Sequence, residues 1–85
     1  MENKEEPMRH LDLNTPVAGL CSVYPELVNI LRDLGFTEIT RPGMLSTAGR
    51  FMTIPKGARL KGIDLDLIRT TLRKHGFETT EDSHE

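Results

Sequence analysis

The stretch Tyr24–Phe36, Tyr-Pro-Glu-Leu-Val-Asn-Ile-Leu-Arg-Asp-Leu-Gly-Phe, leaves the chain least freedom. Pro25 suits the first turn of a helix, because its fixed φ is helical and its missing N–H would be unpaired there anyway. Leu27, Ile30, Leu31 and Leu34 follow at i, i+3, i+4 and i+7, which makes one apolar stripe. Gly35 supplies a left-handed residue to end the helix, and Phe36 can fold back on the last turn. The same ending recurs downstream, where Ile68, Leu72 and Gly76-Phe77 align with Leu27, Leu31 and Gly35-Phe36.

The flanking segments read the same way. Thr15-Pro16 is a hydroxyl cap before a first-turn proline, and Val17, Leu20, Cys21 and Tyr24 carry the helical spacing. Pro42 starts a third segment whose apolar side is Met44, Leu45, Ala48, Phe51 and Met52. Thr53 caps a fourth with Pro55 in its first turn, and Gly62 breaks it. Asp64 caps a fifth, with Asp66 at the positive end of the helix dipole and Arg73, Lys74 and His75 at the negative end. The pattern predicts an all-α fold, a compact five-helix bundle with helices near 16–23, 25–34, 42–50, 54–61 and 64–75. Leu11-Asp12-Leu13-Asn14 leaves room for one minimal bridge strand near the N-terminus. Thr15–Phe36 and Thr53–Phe77 form two similar helical pairs with 42–52 as the bridge between them. The expected core is Leu20, Tyr24, Leu27, Ile30, Leu31, Leu34, Phe36, Leu60, Ile68, Leu72 and Phe77.

Composition then bounds the class. The 85 residues make one domain: a poorly ordered N-terminal tail over 1–10, a helical body over 11–78 and an acidic C-terminal tail over 79–85. One cysteine excludes an intramolecular disulfide, and no apolar run approaches the roughly 18 residues of a membrane span. The acidic start carries no signal-peptide pattern, so a cytoplasmic location is expected. Between Glu38 and Asp64 there is no acid, while Arg41, Arg50, Lys56, Arg59 and Lys61 all fall there. That block reads either as a face for an anionic ligand or acidic partner, or as a solvated face balanced by acidic tails. Nucleic acid is not an expected partner, since the chain has four aromatics, no tryptophan and a net charge of −2.

Catalytic patterns are missing from the sequence. His10, His75 and His84 are scattered, with no second ligand at metal-binding spacing, and His75 serves as a dipole partner at a helix end. Cys21 sits in an apolar stripe and reads as a small buried hydrophobe. No metal, no cofactor and no enzymatic role are expected. The segment Arg41–Thr53 is the least like a plain core helix, with two methionines, two arginines, two glycines and three hydroxyls. A site, if present, belongs here, on Arg41, Met44, Thr47, Arg50 and Met52. The structural alternative has the apolar members filling space between the helical pairs while Arg41 and Arg50 cap carbonyls or pair with a carboxylate such as Glu38. Of the two arginines, Arg50 suits the structural role and Arg41 the partner role.

Leu-Asp-Leu-Asn-Thr-Pro-Val (11–17), the Tyr-Pro-Glu-Leu and Leu-Gly-Phe of 24–36, Arg-Pro-Gly-Met-Leu-Ser-Thr-Ala-Gly-Arg-Phe-Met-Thr (41–53) and Lys-Gly-Ile-Asp-Leu (61–65) resemble an uncharacterised family of small helical bacterial domains. Its members occur alone or fused ahead of hemerythrin-like (HHE) and PAS domains, and they resemble the N-terminal domain of ScdA-type iron–sulfur repair proteins. The resemblance covers about residues 11–78. It implies a compact multihelical bundle and no assigned activity. One branch carries a Cys-x-x-Cys motif, but the matching positions here are Glu38 and Arg41, so thiol redox chemistry does not carry over. The expected function is that of a non-enzymatic interaction or regulatory domain with a protein partner, beside iron- or redox-linked proteins. The alternative is a small-anion or metabolite binder using Arg41 and Arg50.

Overall fold

A computed structural model describes residues 9–80; residues 1–8 and 81–85, most of the two expected tails, lie outside it. The described chain runs β1 (Arg9–Asp12), α1 (Val17–Val23), α2 (Leu27–Leu34), α3 (Pro42–Leu45), a single 3-10 turn (Ala48–Arg50), α4 (Ile54–Lys61), α5 (Leu65–Lys74) and β2 (Phe77–Thr80). The fold is therefore mostly helical, with five α-helices as expected. The strands amount to more than a minimal bridge: β1 and β2 form a parallel pair of four residues each, in the register Arg9↔Phe77 to Asp12↔Thr80. The Arg9 amide donates to the Gly76 carbonyl at 3.0 Å and the Leu13 amide to that of Thr80 at 2.8 Å. Parallel strands need a long crossover, and here the whole helical body serves as one. A two-stranded sheet is marginal alone. This one buries Leu11 and Phe77 completely, and Leu13, just past β1, is fully buried as well. The strands take in Arg9, His10, Thr79 and Thr80, which composition had assigned to tails.

Both glycines of the Gly-Phe endings take the positive φ expected of them. Gly35 has φ 122° and Gly76 φ 89°, a backbone that a Cβ would strain. After Gly35 the Phe36 amide donates to the Leu31 carbonyl at 2.9 Å, five residues back, which satisfies an end carbonyl of α2. Phe36 and Phe77 are both buried. Thr53 and Asp64 cap their helices as expected, accepting from the amides of Lys56 at 3.4 Å and Asp66 at 3.0 Å. Thr15 does not cap: Pro16 occupies the N-cap position of α1 and no side chain bonds there.

Three expectations are corrected. α2 begins at Leu27 because Pro25 and Glu26 form a turn, with the Leu27 amide on the Tyr24 carbonyl at 2.9 Å. The helix expected over 42–50 breaks after Leu45. The Thr47 hydroxyl donates back to the Gly43 carbonyl at 2.8 Å and Ser46 to that of Gly43 at 3.2 Å, and such back-bonding competes with the helical ladder. Leu60 is 73% exposed, because α4 turns Ile54, Gly57 and Ala58 inward and leaves Leu60 outside that face. Tyr24 and Leu34 are half-buried; apart from these and Leu60 the expected core residues are buried, joined by Leu11, Leu13, Val17, Cys21, Ile39, Ile54 and Ala58.

Arg9 ties the sheet to the helices. Its guanidinium lies 4.1 Å from the Phe77 ring centroid, with Nη1 2.8 Å from a Glu26 carboxylate oxygen and Nη2 donating to the His75 carbonyl at 3.1 Å. Tyr24 meets the same phenylalanine edge-on, at 5.2 Å between centroids. The cation–ring contact at this partly exposed position is worth about 0.5–1 kcal/mol.

Candidate functional site

The α2 ending delivers Phe36 to the next element. Gly57 lies inside α4, where glycine costs about 1 kcal/mol in helix propensity relative to alanine. The reason is proximity: a Cβ at Gly57 would stand 2.7 Å from Phe36 Cε1. The connector then turns sharply, with the buried Thr40 hydroxyl donating to the Phe36 carbonyl at 2.6 Å and the Arg41 amide to that of Glu38 at 3.1 Å. This turn brings Ile39 inward, and α3 then sets Met44 opposite α4.

Between connector, α3 and α4 lies an apolar groove of about 190 Å³. Phe36 and Ile39 form its floor, Met44 and Met52 one wall, and Leu60 the other. Met44 is 42% exposed and Leu60 73%, so the rim is apolar as well as the base. One ion pair sits at the mouth: Lys61 Nζ is 2.8 Å from a Glu38 carboxylate oxygen. The hydrogen bond and charge of Lys61, with a smaller contribution from Arg41, hold the Glu38 carboxyl below its usual range. An exposed pair of this kind adds little stability.

Size restricts what the groove can take. Ligand pockets for drug-sized molecules run about 300–1,000 Å³, whereas a cavity of about 150 Å³ accepts benzene. The groove therefore matches one large apolar side chain in volume.

A second, wider concavity of about 390 Å³ lies between α1 and the α3 region, lined by residues including Cys21, Ser22, Ser46 and Arg50. Burial pushes the Cys21 thiol up to about 11, so at neutral pH it is a thiol and a poor nucleophile. Among the described residues no three His, Cys, Asp or Glu side chains are grouped to hold a metal ion, and no helix is long and apolar enough to cross a membrane.

Three of the five site residues expected from sequence line these two places. Met44 and Met52 line the groove and Arg50 the second concavity. Arg41 lines neither of these two. The Thr47 hydroxyl is engaged with the backbone of α3. Neither guanidinium makes a hydrogen bond or ion pair with a described residue; Arg41 acts on Glu38 only through its charge. Sequence reasoning missed Phe36 and Ile39 as floor and Leu60 as rim. One signal did point there: a glycine inside a short helix marks a close approach, and Gly57 is that residue.

The family model described as "Domain of unknown function (DUF1858)" matches residues 11–68. The chain belongs to the DUF1858 family. All groove-lining residues fall inside that span, and β2 falls beyond it. The chain is also similar to the crystal structure of the conserved domain protein from Streptococcus pneumoniae TIGR4. The two are 33% identical with a TM-score of 0.82, over 88% of this chain and 95% of that one. No curated protein matches the chain. Neither DUF1858 nor the pneumococcal protein brings a stated activity.

Proposed function

We propose that this DUF1858 domain is a non-enzymatic interaction module of the cytoplasm that docks a partner protein through the groove between α3 and α4. One observation carries the reading: an apolar groove sized for a single side chain, with Met44 and Leu60 exposed at its rim. Exposed apolar surface costs free energy in a free domain, and a concavity of this kind is where a partner's anchor residue gains most. The likeness to domains fused ahead of hemerythrin-like and PAS modules supports partners among iron- or redox-linked proteins. The absence of an activated nucleophile or base among the described side chains favours docking over catalysis. A small-anion site on Arg41 and Arg50 has one point in its favour, since both guanidinium groups lack a described hydrogen-bond partner. The two do not line a common concavity, which argues against it.

Photocrosslinking in cells tests the docking reading. A benzophenone amino acid replacing Leu60 should yield a discrete crosslinked product that Met44→Asp abolishes while the melting temperature holds. The same probe replacing Lys74, at the far end of α5, should not yield it. Identical products from the two positions would reject the groove as the docking site.

A further inference from the structure

The groove is apolar inside, and two further bases stand near its rim residues along the chain. Lys56 precedes Leu60 by four residues on α4, so both project from one side of that helix. Arg41 precedes Met44 by three residues at the start of α3, and its charge is felt by Glu38 on the groove lining. Each apolar rim residue is thus accompanied, about one turn away, by a base. Lys56 and Arg41 have no hydrogen bond or ion pair with a described side chain, whereas the third base, Lys61, is neutralised by Glu38. Two positive charges, that of Arg41 partly engaged with Glu38, therefore stand about a turn from the rim residues of an opening for one large apolar side chain.

We infer that the groove recognises an acidic amphipathic helix, in which one bulky apolar anchor is flanked a turn to either side by carboxylates that meet Lys56 and Arg41. This rests on the docking reading and adds the chemistry of the partner. An amphipathic helix suits the task because its residues at i−4, i and i+4 share one face, so carboxylates a turn from the anchor can reach toward bases a turn from Met44 and Leu60. Basic rims also attract nucleic acid, but the groove offers no aromatic platform at its surface, and Phe36 is buried as its floor. Charge complementarity at such a rim selects partners and speeds their encounter more than it adds affinity, so the preference weakens as salt rises.

Fluorescence anisotropy with labelled helical peptides tests this on the whole chain. One peptide carries a phenylalanine flanked at i−4 and i+4 by glutamate; its twin carries lysine there. At low salt the glutamate peptide should bind about tenfold more tightly than the twin. The gap should close in high salt and narrow with Lys56→Glu. Met44→Asp should abolish binding, with melting temperature and circular dichroism confirming that both variants fold. Equal or reversed preference, with binding still dependent on Met44, would overturn the acidic-helix inference and leave the docking reading standing. Failure of both peptides to bind, or binding indifferent to Met44→Asp, would overturn both. Two other occupants have their own signatures, and either would overturn the inference. Tighter binding of a single-stranded DNA oligonucleotide would make the rim a nucleic-acid site. A doubled mass without peptide, lost on Met44→Asp, would make the occupant a second copy of this chain.

Discussion

Thr15–Phe36 and Thr53–Phe77 each pass through a short helix and a break to a longer helix closed by Gly-Phe, yet the chain does different things beyond them. After Gly35-Phe36 it enters the buried turn at Thr40 and builds the groove floor. After Gly76-Phe77 it extends into β2. The local chemistry is nearly the same: a positive-φ glycine and a phenylalanine that is buried. What differs is the surface that each phenylalanine meets. Phe36 finds the bare backbone of Gly57, whereas Phe77 finds the Arg9 guanidinium and the strand that carries it. A helix terminus thus decides where a helix stops, and tertiary partners decide what begins there. The openings differ too. The second unit has side-chain caps at Thr53 and Asp64, while neither helix of the first is capped by a side chain.

The equivalence of the two units is most severely tested at their centres. Leu31 and Leu72 occupy matching places and both are fully buried. Leu31→Ala and Leu72→Ala should each cost about 2–5 kcal/mol, a large share of the stability of so small a domain. Urea denaturation of both variants would break the comparison if one proved mild while the other unfolded the chain.

A smaller effect separates the two terminal glycines. Alanine at either forces a Cβ into positive φ, at about 1 kcal/mol. At Gly35 that Cβ would also stand 2.9 Å from Ile63 Cδ1, whereas at Gly76 the nearest neighbour is Arg9 Nη2 at an ordinary 3.6 Å. Each variant should therefore lower the melting temperature by several degrees in a domain of this size, Gly35→Ala somewhat the more of the two. Equal shifts would mean that the Ile63 side chain moves aside freely.

The smallest contrast is at the caps. Thr53→Ala removes a hydroxyl that accepts from the Lys56 amide and should cost about 1 kcal/mol. Thr15→Ala removes no cap and should stay within about 0.5 kcal/mol. Thermal denaturation of the pair would show whether the asymmetry at the two openings matters energetically.

Legibility in the sequence followed this same division between local and tertiary causes. Helix ends at Gly35, Gly62 and Gly76 and caps at Thr53 and Asp64 depend on neighbouring residues, and they could be read directly. The break after Leu45 needed the hydroxyls of Ser46 and Thr47 to be weighed as backbone competitors, not as polar surface. β2 was out of reach: Phe77-Glu-Thr-Thr reads as the start of a polar tail, and only Arg9–Asp12, far back in the chain, makes it a strand. Of the groove, Met44 and Met52 stood out as adaptable residues in an unusual stretch. Leu60 was misread because apolar character alone does not say which side of α4 faces the core. The interplay of Gly57 with Phe36 has no local signature beyond a glycine in a helix.

The parallel pairing of β1 with β2 has a mechanical consequence. Arg9 lies beside Phe77 and Asp12 beside Thr80, so polypeptide leading into Arg9 and polypeptide leading out of Thr80 depart from opposite ends of the ladder. Strands of four residues at about 3.3 Å per residue separate those exits by about 10 Å along a common axis. Tension applied between them slides one strand along the other and loads the inter-strand hydrogen bonds together, including those at Arg9 and Leu13. An antiparallel arrangement of the same two strands would let the bonds peel apart one after another. Stretched between its two ends, the domain would resist through that ladder as a clamp.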